Sequence, residues 1–113
     1  MSPLGADALG VGPVLQSTPF AREIAAAIME DNDDVIVNDR GGYLRVLAPR
    51  VCRLSRATVE AATGSPVRFP GDLEVIMSSF AGRMHLTEHG AVWWLNGEST
   101  PDPPGPPPND AVR

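Results

Sequence analysis

Apolar residues recur along this chain at two different periods, and the changes of period mark its elements. From Phe20 through Ile24, Ala27 and Ile28 the spacing is that of one face of a helix. Thr18-Pro19 stands just before, an N-cap followed by a proline at the first helical position, so a helix is predicted over residues 19–30. The run Glu30-Asp31-Asn32-Asp33-Asp34 would oppose the negative end of the helix dipole, and it is read as a solvated turn that ends the helix and leads into a strand.

Beyond that turn the period shortens. Val35-Ile36-Val37 and Tyr43 to Leu47 are β-prone segments separated by Asn38-Asp39-Arg40-Gly41-Gly42, whose residues tolerate the positive φ of a hairpin connection. Pro49 interrupts the next run as a bulge or an edge before Val51 to Leu54. Ser55 then caps a short helix that ends at Gly64, with Val59 and Ala62 on its inward face. Ser65 to Gly71, with Pro66 and Pro70, is read as a rigid loop, and Leu73 to Met77, Arg83 to Thr87 and Ala91 to Leu95 as three successive strands. Glu88-His89-Gly90 is the tight turn between the last two. If Ala91 to Leu95 is a strand, Trp93 and Trp94 point to opposite faces, one into the core and the other toward the surface as a binding anchor.

This order predicts an α+β fold: a single compact domain with antiparallel β-sheets and two to three short helices, since the hairpins are too short for parallel crossovers. Residues 1–10 and 96–113 lack any sustained period, and the second stretch is rich in proline, so both are expected to be flexible, disordered tails around a domain at 11–95. At 113 residues there is material for one core only.

Charge and chemistry narrow the function. A formal net charge of -5, with the basic residues scattered, disfavours a nucleic-acid partner. The apolar stretches are too short to cross a membrane, and Met1 to Gly12 lacks a secretory signal, so the cytoplasm is the expected compartment. Cys52 is the single cysteine and lies in a strand-like apolar run, which reads as a buried, inert thiol. His85 and His89 flank a hairpin turn without a Cys or carboxylate partner at metal-ligand spacing, and they read as surface or packing residues. No nucleophile elbow, dinucleotide fingerprint or phosphate loop is present, and Asp33-Asp34 and Asp72/Glu74 read as solvated turn acids. The chain is therefore expected to be no enzyme by itself, to carry no cofactor or metal, and to work by binding another protein.

Three segments carry a family resemblance: Val11-Gly12-Pro13-Val14, then Asp39-Arg40 with Tyr43-x-Arg45-Val46, then Ser78-Ser79-Phe80-Ala81-Gly82 with a closing strand after it. In this order and spacing, over about residues 11–95, the chain resembles the effector, or coupling, proteins of soluble diiron monooxygenases, which accompany methane, phenol, toluene and alkene hydroxylases. The resemblance implies a cofactorless protein that docks on the hydroxylase component above its diiron centre, reshapes the substrate and oxygen pathway, and couples electron transfer to hydrocarbon oxidation. It further implies a monomer when free, and competition or coordination with a reductase or ferredoxin. Gly41-Gly42 and the proline-rich end depart from the family pattern, which leaves the substrate class open.

The same resemblance marks Val11, Gly12, Pro13, Arg40, Tyr43, Arg45, Ser78, Ser79, Phe80 and Gly82 as hydroxylase-contacting residues. Each has a plainer role beside it. Tyr43 and Arg45 share a strand face and are either an interface centre or solvated strand residues. Phe80 and Gly82 either serve binding or plug and bend the fold. Val11 to Val14 is either a lead-in that orders on docking or an ordinary surface strand. The rival function is a small adaptor that presents Pro103-Pro104-Gly105-Pro106-Pro107-Pro108 as a polyproline ligand.

Overall fold

Thr18 caps the first helix as its sequence requires: its Oγ1 accepts the Ala21 N–H at 3.0 Å, and helix α1 runs over Pro19–Asp31. A computed structural model describes residues 10–106. The expected N-terminal tail at 1–10 lies almost wholly outside the described residues, as do residues 107–113. Ala21, Ile24, Ala25, Ala27 and Ile28 form the buried face of α1.

The end of α1 is more than a solvated turn. Asp31 accepts the Ser55 N–H and the Thr58 hydroxyl, each at 2.7 Å. Asn32 donates to the carbonyls of Ile28 and Arg53 and accepts the Arg53 N–H. Asn32 thus closes the helix and binds a strand backbone as a neighbouring strand would; only Asp33 and Asp34 are left exposed as turn acids.

Among the described residues, seven strands obey the expected antiparallel logic in two sheets. Strands β1 (Gly12–Gln16), β2 (Ile36–Asp39), β3 (Tyr43–Leu47) and β5 (Met77–Ala81) form a four-stranded sheet in the order β2-β3-β1-β5. Strands β4 (Val51–Ser55), β6 (Arg83–Thr87) and β7 (Gly90–Trp94) form a second sheet in the order β4-β7-β6. The predicted hairpin is β2–β3, with Ile36 opposite Leu47, Asp39 opposite Leu44 and Gly41 at φ +87° in its tip. The chain changes sheet at Ala48-Pro49-Arg50, where Val11 and Ala48 exchange two backbone hydrogen bonds of 2.8 Å, and again at Gly82.

Helix α2 (Arg56–Thr63) begins at Ser55 and ends at Gly64, which is left-handed with φ 73°. Ser55 occupies the cap position without a side-chain capping bond; its amide is held by Asp31 instead. Val59 is buried, whereas Ala62 is exposed beside the α1–α2 contact rather than on an inward face.

The one element of the wrong type in the sequence reading is Leu73 to Met77. Gly71–Ile76 is helix α3, with Leu73 and Ile76 buried three apart and Glu74 and Val75 exposed. Alternation over five residues does not separate a strand from one and a half helical turns. Local polar chemistry decides it: Asp72 accepts the Arg68 N–H at 2.9 Å, and Asp72 and Glu74 favour the positive end of the helix dipole. The strand starts later, at Met77, and so includes Ser78-Ser79-Phe80.

One contiguous core joins α1 to the inner faces of both sheets through Leu15, Leu44, Val46, Leu54, Val59 and Trp93. Neither tryptophan reaches the surface: Trp93 is 0% and Trp94 5% exposed, so the expected aromatic anchor is absent. Cys52 is buried, and its thiol pKa is pushed up to about 12 by desolvation, aided by the nearby Asp31 carboxylate, which keeps it protonated and inert.

Candidate docking surface on the four-stranded sheet

Alternation sorts this sheet into two faces. Leu15, Leu44 and Val46 point into the core, and Val14, Tyr43 and Arg45 point away from it. The register then assembles residues distant in sequence: Val14 in the middle of the sheet lies opposite Arg45 on one side and Ser79 on the other, and Tyr43 lies opposite Gln16. Val14, Tyr43, Arg45, Ser79, Phe80 and Ala81 line a shallow depression of about 310 Å³.

Phe80 is placed by an irregularity. Val14 pairs with Ser79 but Leu15 pairs with Met77, so Ser78 is the extra residue of a bulge. Phe80 pairs with Pro13, whose side is buried, yet β5 is the sheet edge and the ring is 41% exposed. It also lines a second depression, of about 520 Å³, with Gly82, Arg83, Met84, Trp94 and Asn96. The ring therefore stands as a ridge between two hollows.

The hairpin tip is moored from α1. Arg22 donates to Asp39 at 3.1 Å and to the Ser17 hydroxyl at 2.8 Å, while the Ser17 amide donates to the Gly42 carbonyl. Asp39 in turn accepts the Gly41 N–H at 2.9 Å. That backbone bond, then the Arg22 guanidinium, holds the Asp39 carboxyl below its ordinary value. Exposed Arg40 sits in this tip, its amide donating to the Tyr43 carbonyl.

The ten residues marked by sequence therefore separate. Tyr43, Arg45, Ser79 and Phe80 come together around one depression, with Ser78 at its bulged edge and Arg40 at the hairpin end. Val11, Gly12 and Pro13 do not join them, because all three are buried. Gly12 has φ +145°, and a Cβ there would run into the Val46 carbonyl oxygen, so glycine is needed for β1 to approach β3. Gly82 has a similar duty: at φ +92°, a Cβ would lie 2.5 Å from the Trp94 carbonyl oxygen and 2.7 Å from Val11 Cγ1. It borders the larger hollow but works mainly as the joint between the sheets. Arg83 and Asn96 were missed as surface members; only the folded chain brings them beside Phe80 and Trp94.

No catalytic arrangement accompanies this face. Among the described residues, no group of three or more His, Cys, Asp or Glu could hold a metal ion. His85 is exposed, and His89 is half-buried with its backbone carbonyl accepting the Arg56 N–H.

The MmoB/DmpM family model matches residues 10–94, a span that takes in both sheets and all three helices. The chain belongs to that family. It is 37% identical over 86 residues to the effector subunit of the alkene monooxygenase system of Xanthobacter autotrophicus, a match covering 74% of this chain and 84% of the relative. Two solved chains from structures of a phenol hydroxylase–regulatory protein complex are similar to it in fold. One has a TM-score of 0.70 at 24% identity, over 77% of this chain and 99% of that one. The other has a TM-score of 0.65 at 26% identity, over 75% and 99%. The MmoB/DmpM match ends with β7, so the proline-rich segment from residue 96 onward lies outside it.

Proposed function

We propose that this MmoB/DmpM chain is the cofactor-free effector of a soluble diiron monooxygenase: it binds the hydroxylase component and couples electron transfer there to hydrocarbon oxidation. The observation that carries the reading is the family match over both sheets, together with an alkene monooxygenase effector subunit at 37% identity. That similarity favours an alkene as the partner's substrate. The chain is a regulatory component, and the iron and the oxidation belong to the hydroxylase.

The docking face we assign is the outer side of the four-stranded sheet, with Arg40, Tyr43, Arg45, Ser78 and Ser79, together with Phe80 at its β5 edge. Tyr and Arg are the residue types that dominate interface centres, and Phe80 rises from an edge strand where a facing groove could receive it. An effector that binds the reactive hydroxylase conformation more tightly than the resting one raises its population by that ratio of affinities; about 1.4 kcal/mol makes the ratio tenfold. Among the described residues no helix is long and apolar enough to cross a membrane. We place the chain in the cytoplasm as a monomer, where a reductase or ferredoxin shares or contests the hydroxylase surface.

The test is a titration into the purified hydroxylase with its electron-transfer partners, following product formed per NADH consumed. A saturable rise is expected; a flat response at every ratio would overturn the reading.

A further inference from the structure

The second sheet has an outer face that ought to be wet. By register, Cys52, Leu54, Met84, Leu86, Ala91 and Trp93 lie on the side that joins the core. Val92 lies on the other side, directly between Arg53 and His85, both of them exposed. Yet Val92 is 0% exposed, and neither it nor the almost fully buried Trp94 belongs to the core cluster. A further layer must cover them.

The segment after β7 is placed to do so. The Leu95 amide donates to the Arg50 carbonyl and the Glu98 amide to the Leu95 carbonyl, closing a reverse turn with Gly97 at φ +97°. Glu98 then pairs with Arg50 at 2.7 Å. Farther on, Pro104 Cγ lies 3.1 Å from the point a Cβ on Gly90 would occupy, at the opposite end of β7. Pro101, Pro103 and Pro104 are half-buried. From Trp94 back to Gly90 is roughly 13 Å at about 3.3 Å per residue, a distance the six steps from Glu98 to Pro104 span with slack.

We propose that residues 98–106 are an intramolecular strap, a proline-rich ligand bound in cis across the outer face of the three-stranded sheet over Val92 and Trp94. Its composition suits that role. Proline presets φ, so less conformational freedom is lost on docking, and with no N–H to donate it lies across a sheet face by ring contact instead of pairing as another strand. While docked, these prolines are occupied and unavailable to an outside groove. When released, they uncover an apolar patch at the rim of the hollow shared by Trp94, Arg83 and Phe80.

The experiment uses the isolated full-length chain, so its outcome is independent of the hydroxylase titration. A nitroxide is attached at Pro104→Cys; buried, protonated Cys52 stays unlabelled. Broadening of the Gly90, Ala91 and Val92 amide signals is expected, and sharp signals for all three would overturn the strap. A companion variant, Pro101→Ser/Pro103→Ser/Pro104→Ser, is read by acrylamide quenching of tryptophan emission. Quenching should rise several-fold, the rise should vanish in a Trp94→Phe background, and quenching unchanged from the parent chain would count against the proposal.

Discussion

The two sheets are built from strands of similar length with the same inward alternation, but their outer faces end differently. In the four-stranded sheet the outward residues stay open: Tyr43 is 41% exposed, and Val14, Arg45 and Ser79 surround a shallow hollow. In the three-stranded sheet the central strand β7 is buried along its whole length. The path of the chain beyond each central strand makes the difference. Strands β1 and β7 are each flanked by strands on both sides, but β1 leads into α1, which packs on the core side and leaves the outer face to solvent, whereas β7 leads at once into a turn that brings the chain back. A face left open on a well-ordered sheet is a rigid platform for a partner, while a face closed by its own chain adds burial and therefore stability.

The sharpest way to break this contrast is at the joint between the sheets. Gly82→Ala forces a Cβ against the Trp94 carbonyl and Val11, and it should cost about 2–4 kcal/mol through strain and overpacking. Urea denaturation should show a lower midpoint, and an unchanged midpoint would mean that the joint is slack. A smaller effect, confined to the open face, is expected for Tyr43→Ala and Phe80→Ala. Each should weaken hydroxylase binding by about 1–2 kcal/mol, close to tenfold, while folding stability moves by less than about 1 kcal/mol. A pull-down or titration calorimetry on the hydroxylase reads the first quantity, and normal binding by both variants would move the docking site elsewhere.

The smallest effect concerns the mooring of the hairpin tip. The Asp39 carboxyl titrates below its ordinary value of 3.8 because the Gly41 amide and the Arg22 guanidinium favour its charged form. Its contribution is therefore fully present above that value and is lost as pH falls through the lower, folded-state pKa. The protection of the Gly41 amide, its exchange measured against the intrinsic rate at the same pH, should fall in that acid range, and Asp39→Asn should remove this fall. The same pH response in the variant would assign the change to another carboxylate.

Much of this architecture was readable from local pattern. The helix at 19–30, the β2–β3 hairpin, the Gly64 stop and the turn at Glu88-His89 each rest on residues within a few positions of one another, where capping and φ preference act. The misreadings share a cause. Leu73 to Met77 was too short for its period to decide, and one of Trp93 and Trp94 was expected at the surface because alternation names a face without saying what covers it. Asp31 and Asn32 looked like members of an acidic turn because their partners, Ser55, Thr58 and Arg53, lie more than twenty residues away.

The candidate surface divides the same way. Residue type and order alone pointed to Tyr43, Arg45, Ser79 and Phe80 through family resemblance, and the folded chain brings these four around one depression. Nothing in the sequence could show that Val11, Gly12 and Pro13 are buried, or that Val14 stands between Arg45 and Ser79. By itself the sequence determined most of the element types, the antiparallel character and the absence of catalytic motifs, since those rest on local dihedral preference, periodicity and composition. Which strands became neighbours, which face stayed open, and where the proline-rich segment came to rest were decided only in three dimensions, because burial and register are properties of pairs of segments far apart along the chain.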